Sequence, residues 1–366
     1  MLNHLTGRKD TYHKLNTEIA FLDNTQLYTL FNNAVETTRG WGINHVIELG
    51  DCKLFVKRVP LTELESQHPF STKNHFDLPS YYNYGVGSAG FGVYRELLTH
   101  IKTTNWVLSG QCVHFPLMYH YRVLPRTAPT TPISEERYKR YVAYWNGNQN
   151  IGNYALAHDA APYELVLFLE YFPYTLGDYF RQHVDQTEQV IVQAAQTLTF
   201  LRQQQLRHGD VHFGNIVSDG EQIYFADFGL AQDWAFDLSA AERQFFQQNR
   251  YLDDASLLNS LAFLTIIRFR ELHQSQQQAA RKKYELVDEG ALTWADKTFL
   301  IEHIERVYAD GIIPLERHFV ETVLHFREPI LLIRSFLEKI VTSSEKQFSY
   351  DHARLQELLE SVTSDQ

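Results

Sequence analysis

Residues 208–229 read HGDVHFGNIVSDGEQIYFADFG, and the rest of the chain can be interpreted around them. Two short apolar segments, 216–217 and 223–226, have the composition of strands, and Asp219-Gly220 between them is typical of a β-hairpin turn. Three side chains with oxygen atoms flank these segments: Asp210, Asn215 and Asp227. The predicted order is therefore loop, strand, turn, strand and loop, with a carboxylate at each open end.

These residue types suit phosphoryl transfer. Magnesium prefers oxygen ligands, so Asp227 and the amide oxygen of Asn215 are candidate metal ligands. An acceptor hydroxyl needs a carboxylate that orients it and takes its proton, and Asp210 suits that role.

The motif His208-x-Asp210-x-x-x-x-Asn215 resembles the catalytic loop of the protein-kinase-like superfamily, and Asp227-Phe228-Gly229 resembles its metal-binding triplet. Both motifs occur in order, separated by a hairpin and preceded by a helix, which makes the combination specific. The resemblance implies an α+β fold with a small β-rich N-terminal lobe and a larger helical C-terminal lobe that has extra C-terminal helices. We expect these lobes at residues 1–171 and 172–366, with ATP and Mg²⁺ as cofactors.

The branch of the superfamily stays open. Residues 227–231, DFGLA, resemble protein kinases of the bacterial Ser/Thr type, so we first expect a Ser/Thr protein kinase. The string His-Gly-Asp-x-His-x-Gly-Asn is more similar to aminoglycoside- and choline-kinase-like phosphotransferases, and no Ala-Pro-Glu follows the triplet, which favours a small-molecule kinase. His212 stands where protein kinases have a Lys, and either contacts the γ-phosphate or acceptor or only hydrogen-bonds the loop. A nucleotide-binding pseudokinase that acts as a regulatory module is the third alternative.

A phosphate-binding lysine is predicted on a β-hairpin. Residues 43–49 and 53–59 alternate as paired strands do, with a turn between them. Lys57 lies between apolar residues and resembles the strand-three Lys of the family, which holds the α- and β-phosphates. Its rival Lys53 lies at the turn, and Arg58 should point to the opposite face of the strand.

A helix is predicted from Val93 to Ile101, and Glu96 lies near its start. In the family a helix C glutamate pairs with the strand-three Lys, and Glu96 resembles it. Glu63 and Glu65 are alternatives that follow the strand too closely to lie on a helix facing it. The helix dipole alone also favours a glutamate in a first turn.

Two glycine-containing stretches compete for the position over the phosphates. Gly40 and Gly42 precede Lys57, as the nucleotide-covering turn of the family does. The stretch 85–92 contains the pattern G-x-G-x-x-G, with Gly87 and Gly90, but it follows Lys57. It is either a flexible lid that closes near the phosphates or a loop that needs positive φ angles.

The apolar run Leu165–Leu169 predicts a buried strand. The residues after it resemble the kinase hinge, which implies that the backbone near Glu170 and Phe172 hydrogen-bonds the adenine. A further strand is predicted at 115–124, and a polar insert at 125–160 has a helical centre. Apolar periodicity predicts the remaining helices, at 24–36, 188–205, 255–270, 294–308, 315–326, 330–341 and 352–362.

Composition narrows the classes of partner and compartment. The net charge of −11 argues against nucleic acid or an anionic membrane as the main partner. No apolar run approaches the length of a membrane span, and the first residues lack the apolar region of a signal peptide. Cys52 and Cys112 are too few for a disulfide framework, so we expect a cytoplasmic protein whose partner is a hydroxyl acceptor, either a protein or a small molecule.

Overall fold

The protein is described by a computed structural model that covers residues 2–37, 43–127 and 133–364. The chain forms two compact units. The first unit comprises Met1–Pro173, Phe200–Asp210 and Tyr224–Gln247, and the second comprises Tyr174–Thr199, Val211–Ile223 and Gln248–Gln366. The predicted boundary after residue 171 lies close to the first of these divisions. However, residues 200–210 and 224–247 return to the first unit, so Asp210 and Asp227 both belong to it.

The chain begins with these elements, in order: α1 (Leu2–Phe21), α2 (Asn24–Asn32), β1 (Val35–Thr37), β2 (Ile43–Leu49), β3 (Cys52–Leu61), α3 (Glu63–Ser66), a 3-10 helix (Ser80–Tyr84), α4 (Val93–Ser109), β4 (Met118–Pro125), α5 (Glu135–Tyr144), α6 (Gln149–Asp159) and β5 (Tyr163–Glu170).

The later part of the chain continues with β6 (Tyr174–Thr175), α7 (Leu176–Phe180), a 3-10 helix (Val184–Gln186), α8 (Thr187–Gln203), β7 (Leu206–Arg207), β8 (Ile216–Ser218), β9 (Ile223–Phe225), β10 (Gln232–Asp233), α9 (Ala240–Gln248), α10 (Leu252–Glu271), α11 (Gln274–Tyr284), α12 (Trp294–Glu302), α13 (Ile304–Asp310), α14 (Arg317–His325), α15 (Arg327–Thr342) and α16 (His352–Ser364).

An antiparallel sheet with the strand order β1-β2-β3-β5-β4 forms the centre of the first unit. Side chains alternate between the two faces of a strand, so Phe55, Lys57 and Val59 share one face of β3. Helix α4 covers that face, and the apolar residues between them form a core: Leu61, Val93, Tyr94, Leu97, Met118, Leu165, Leu167 and Leu169. On the opposite face, Arg58 forms an ion pair with Glu164 at 2.8 Å, as the alternation predicts.

Several elements of the first unit differ from the sequence predictions. The helix predicted at 24–36 ends at Asn32, because Val35–Thr37 pairs with β2 as an edge strand. Helices α1, α3, α6 and α9 were not predicted. Helix α1 is polar along most of its length, so it lacks the apolar periodicity that identifies amphipathic helices.

The second unit is mainly helical. Its short strand β6 pairs with β8, Tyr174 opposite Ser218. Helices α10, α12 and α15 pack against one another, and Arg334 of α15 donates hydrogen bonds to Asn259 and Thr298. The single helix predicted at 294–308 is two helices, because α12 ends at Glu302 and the backbone leaves the helical conformation at His303.

These elements confirm the α+β class, with a small antiparallel sheet near the N-terminus. Within the residues that the structure covers, no helix combines the length and the apolar character needed to cross a membrane.

Candidate active site

Lys57 lies between two carboxylates in the first unit. Its ammonium nitrogen is 2.6 Å from Oε1 of Glu96 and 2.7 Å from Oδ1 of Asp227. The side chains of Lys57 and Glu96 are only 7% and 4% exposed, whereas that of Asp227 is 23% exposed. The cluster therefore has a buried side, at Glu96, and a side open to solvent, at Asp227.

The local sequence explains why Lys57 and Glu96 meet. Period-2 alternation directs Lys57 toward α4, and Glu96 lies in the first turn of that helix. Glu65 has a different role: its Oε1 accepts the backbone N–H of Val93 at 2.9 Å and so caps the start of α4. Glu63 is exposed, as is Lys53, whose side chain is 59% exposed.

Electrostatics stabilise the charged forms of Lys57 and Asp227. Burial disfavours the ammonium of Lys57, but the charges of Asp227 and Glu96 outweigh this and raise its pKa. Burial likewise disfavours the carboxylate of Asp227, but the ammonium of Lys57 and the N–H of Gly229 lower its pKa to about 2. At neutral pH both groups are therefore ionised.

The backbone at Asp227 adopts an uncommon conformation, with φ of 64°. This left-handed region is unfavourable for a residue with a side chain, and such strain is found at functional sites. The conformation is supported locally, because Oδ1 of Asp227 accepts the N–H of Gly229 at 3.3 Å. Phe228 is fully buried against three aromatic rings, those of His100, Phe115 and His208.

His208 joins Asp210 to the segment that carries Asp227. Its Nδ1 accepts the backbone N–H of Asp210 at 3.4 Å, and its Nε2 lies 3.0 Å from the carbonyl oxygen of Ala226. A nitrogen that accepts cannot carry a proton, so the proton lies on Nε2, which donates to Ala226. The imidazole is fully buried. Its two hydrogen bonds join the backbone of the first motif, at Asp210, to the backbone just before the second motif, at Ala226. The side chain of Asp210 is half-buried.

His212 and Asn215 belong to the second unit. The ring of His212 turns back on its own loop, where Nδ1 accepts the N–H of Gly214 at 3.0 Å. The backbone N–H of Asn215 donates to the carbonyl oxygen of His212 at 2.9 Å, and Asn215 is buried. The structure therefore brings these two residues together in one tight turn.

The candidate hinge is occupied by an arginine from α1. Arg8 donates to the carboxylate of Glu170 at 2.7 Å and to the carbonyl oxygens of Val113 and Phe115. The backbone N–H of Glu170 donates to Leu117 at 2.8 Å. The ring of Phe172 stacks on Tyr224, with 4.1 Å between the centroids.

Of the two glycine stretches, Gly40 and Gly42 lie outside the described residues. Gly87 and Gly90 lie in a segment between the 3-10 helix and α4, and both have positive φ, 84° and 92°. A β-carbon on Gly90 would collide with the carbonyl oxygen of Gly229. The segment 85–92 therefore adjoins the Asp227-Phe228-Gly229 triplet.

A magnesium ion fits the chemistry of Asp227. Mg²⁺ is commonly held by one or two carboxylates together with phosphate oxygens of the substrate, not by a protein cage. The low pKa keeps Asp227 anionic. Among the described residues no group of three or more His, Cys, Asp or Glu side chains could hold a metal alone.

The sequence predictions did not include four residues of the first unit that make buried polar contacts: Arg8, Arg95, His100 and Glu242. His100 follows Glu96 by one helical turn and lies 3.8 Å from it, so helical periodicity could have found it. Arg95 and Glu242 form an ion pair at 2.7 Å with both side chains 2% exposed. No local pattern indicates that pair or the contacts of Arg8, because their partners are distant in sequence.

Comparison with known proteins adds no family to this geometry. No protein-family model matches the chain, and no curated protein sequence is significantly similar to it.

Proposed function

We propose that the protein is an ATP- and Mg²⁺-dependent phosphotransferase that moves the γ-phosphate to a hydroxyl group. The observation that carries this proposal is the ammonium of Lys57 held between Glu96 and Asp227. A buried lysine fixed by one carboxylate, next to a second carboxylate that is open to solvent, combines a phosphate-binding cation with a metal ligand.

Each residue has a distinct role in this proposal. Lys57 binds the α- and β-phosphates and Glu96 holds its ammonium in place. Asp227, with the amide oxygen of Asn215, holds Mg²⁺, which neutralises charge on the phosphates when it is bound. Asp210 orients the acceptor hydroxyl and takes its proton.

The fold proposed with this function is the two-lobed protein-kinase-like fold. Support comes from the five-stranded sheet with Lys57 on β3 and Glu96 on α4. Both motifs also have the predicted loop and strand order, with β8 and β9 between Asp210 and Asp227.

For the acceptor we propose the hydroxyl of a protein Ser or Thr residue. A small-molecule hydroxyl is the second candidate, and one observation favours it. The segment that follows Asp227 is folded into the first unit, by the ion pairs Lys102–Asp233 at 2.6 Å and Arg95–Glu242 at 2.7 Å. This leaves less of that segment available as a platform for an extended peptide.

The test is transfer of label from γ-labelled ATP, with Mg²⁺, to the protein itself and to a generic protein mixture. Asp227→Ala is assayed beside the unaltered protein. Labelled protein that is lost in Asp227→Ala would support a protein kinase, whereas ATP consumption without labelled protein would point to a small molecule or to water as the acceptor. Bound ATP without turnover would overturn the phosphotransferase and favour a regulatory pseudokinase.

A further inference from the structure

The segment 85–92 lies against the backbone of both candidate motifs. A β-carbon on Gly85 would lie 3.2 Å from the carbonyl oxygen of Gly209 and 3.5 Å from Oδ1 of Asp210. At the other end, a β-carbon on Gly90 would collide with Gly229. The close approach explains why glycine occupies both positions, and it places the segment against the carboxylate of Asp210.

Three tyrosine hydroxyls hold this segment by its backbone. The hydroxyl of Tyr144 donates to the carbonyl oxygen of Val86 at 3.0 Å, and the hydroxyl of Tyr141 donates to the carbonyl oxygen of Gly87 at 3.2 Å. The hydroxyl of Tyr82 accepts the N–H of Ala89 at 2.8 Å. The hydroxyls of Tyr82 and Tyr141 are also 2.7 Å apart, so the contacts form one connected network.

The tyrosines are themselves fixed by an aromatic core. Tyr82 and Trp145 are fully buried, and their rings lie 4.8 Å apart. The core is built from two insertions, the chain between α3 and α4 and the chain between β4 and β5. Its other members are Leu78, Phe91, Ile151 and Tyr154. Burial raises the pKa of Tyr82 well above its usual value, so its hydroxyl keeps its proton.

Movement of the segment away from Asp210 would break this network. The contacts of Tyr82 and Tyr144 are partly buried, whereas that of Tyr141 with Gly87 is exposed. Breaking the three together costs the sum of their net contributions to stability. A lid that opens for each nucleotide needs a segment with few such contacts. The contacts observed here are those of a pre-formed wall.

We infer that the segment 85–92 is a fixed wall on the acceptor side of the site, and that Tyr82, Tyr141 and Tyr144 are positioning residues that hold it beside Asp210. The inference rests on the proposed function. Asp210 meets the acceptor hydroxyl in that function, whereas the phosphates and metal belong to Lys57 and Asp227. At Asp210 this wall shapes the approach of the acceptor, whereas at Gly90 it meets the triplet only at the backbone carbonyl of Gly229, so we expect little influence on nucleotide affinity.

The first experiment measures hydrogen–deuterium exchange in residues 85–92, with and without Mg²⁺ and a non-hydrolysable ATP analogue. A fixed wall exchanges slowly in the free protein and changes little when the analogue binds. Fast exchange in the free protein that slows strongly on binding would identify a nucleotide lid and overturn the inference.

The second experiment uses the double variant Tyr141→Phe/Tyr144→Phe. Loss of two hydroxyls should accelerate exchange in 85–92 by roughly tenfold, from ordinary hydrogen-bond contributions. It should slow label transfer to the acceptor that the unaltered protein uses, be it protein or water, while the Kd of the analogue stays within about twofold. A Kd that rises in parallel with exchange would overturn the inference.

Tyr138→Phe is the matched control, because Tyr138 lies on the same helix, α5, with its hydroxyl directed toward Gly152. It should leave exchange, transfer and Kd unchanged.

Failure of the wall and failure of the phosphotransferase proposal give different results. If the unaltered protein binds no analogue in calorimetry, the phosphotransferase is overturned, and with it the acceptor role. If it binds the analogue and the segment still exchanges fast, only the wall is overturned.

Discussion

The ammonium nitrogen of Lys57 lies 2.7 Å from Oδ1 of Asp227, although 170 residues separate them in the sequence. The pair joins strand β3 to the loop after β9 within the first unit. Because Asp227 keeps a quarter of its side chain in contact with solvent, a phosphate or metal can reach the pair from one side. Because of this contact, substitution of either residue should change the stability of the protein as well as its activity.

Lys57→Met should strongly slow phosphoryl transfer and destabilise the protein. Its removal leaves two carboxylates close together without a cation, and loss of one partner from a buried pair costs about 3 kcal/mol in free energy of unfolding. Turnover should fall by roughly 10²-fold or more. Chemical denaturation and γ-labelled ATP transfer measure the two effects.

Lys53→Met is the control on the same strand, because Lys53 is 59% exposed and 4.0 Å from Glu48. Its stability and turnover should stay near those of the unaltered protein. Equal losses in the two variants would mean that the effect belongs to the strand and not to the Lys57 ammonium.

Asp227 should make stability depend on pH in the acid range. Its pKa in the folded protein is about 2, below the ordinary value of 3.8, so the ionised carboxylate favours the folded state. This contribution, about 2 kcal/mol, is complete above pH of about 4 and is lost as the pH falls from about 4 to about 2. Urea unfolding across this range should show a shallower pH dependence for Asp227→Asn.

Asp51→Asn serves as the comparison, since Asp51 lies in the exposed turn between β2 and β3. It should retain the slope of the unaltered protein. An unchanged slope in Asp227→Asn would contradict the ion pair with Lys57.

Asp210→Ala should reduce turnover by roughly 10²–10⁴-fold, the usual contribution of a general base. Nucleotide affinity should stay nearly constant, because Asp210 is proposed to contact the acceptor and not the phosphates. Turnover and ATP binding by calorimetry give the two numbers. A large loss of ATP binding would remove Asp210 from the role of base.

Arg95→Met should destabilise the protein by about 3 kcal/mol, because Glu242 would remain buried without its cation. The double variant Arg95→Met/Glu242→Gln should recover part of this loss. Glutamine is neutral and keeps an oxygen for the backbone N–H of Ser239, which Glu242 accepts at 3.0 Å. Urea denaturation measures all three proteins.

Arg354→Met tests the same substitution at an exposed ion pair, that of Arg354 with Glu328 at 3.0 Å. Exposed pairs contribute at most about 1 kcal/mol. If the double variant were no more stable than Arg95→Met alone, the loss would come from the packing of the arginine and not from the unpaired charge of Glu242.

Several features were predictable because their signal is local. The alternation in 43–59 predicts a hairpin and directs Lys57 and Arg58 to opposite faces, and their observed partners, Glu96 and Glu164, lie on those faces. Asp219-Gly220 separates two strands, as its turn chemistry predicts.

Other features depend on tertiary contacts that no local pattern contains. Residues 35 and 36 continue a helical pattern in the sequence, yet they belong to the strand β1, because pairing with β2 supplies its backbone hydrogen bonds. Helix α1 is polar, and its residue Arg8 donates hydrogen bonds to groups that are more than a hundred residues away in the sequence.

The sequence by itself determined the types of side chain available for the proposed phosphoryl transfer and their order, since spacing and strand alternation act over a few residues. It also favoured Glu96 as the partner of Lys57, and the tertiary structure shows that contact. Only the tertiary structure decided what Glu65 does instead and where the segment 85–92 lies. Glu96 is chosen over Glu65 because Glu65 caps α4, and 85–92 lies beside Asp210 because tyrosines from two insertions hold its backbone. Such contacts join residues far apart in the chain, so they form only when the whole first unit is folded.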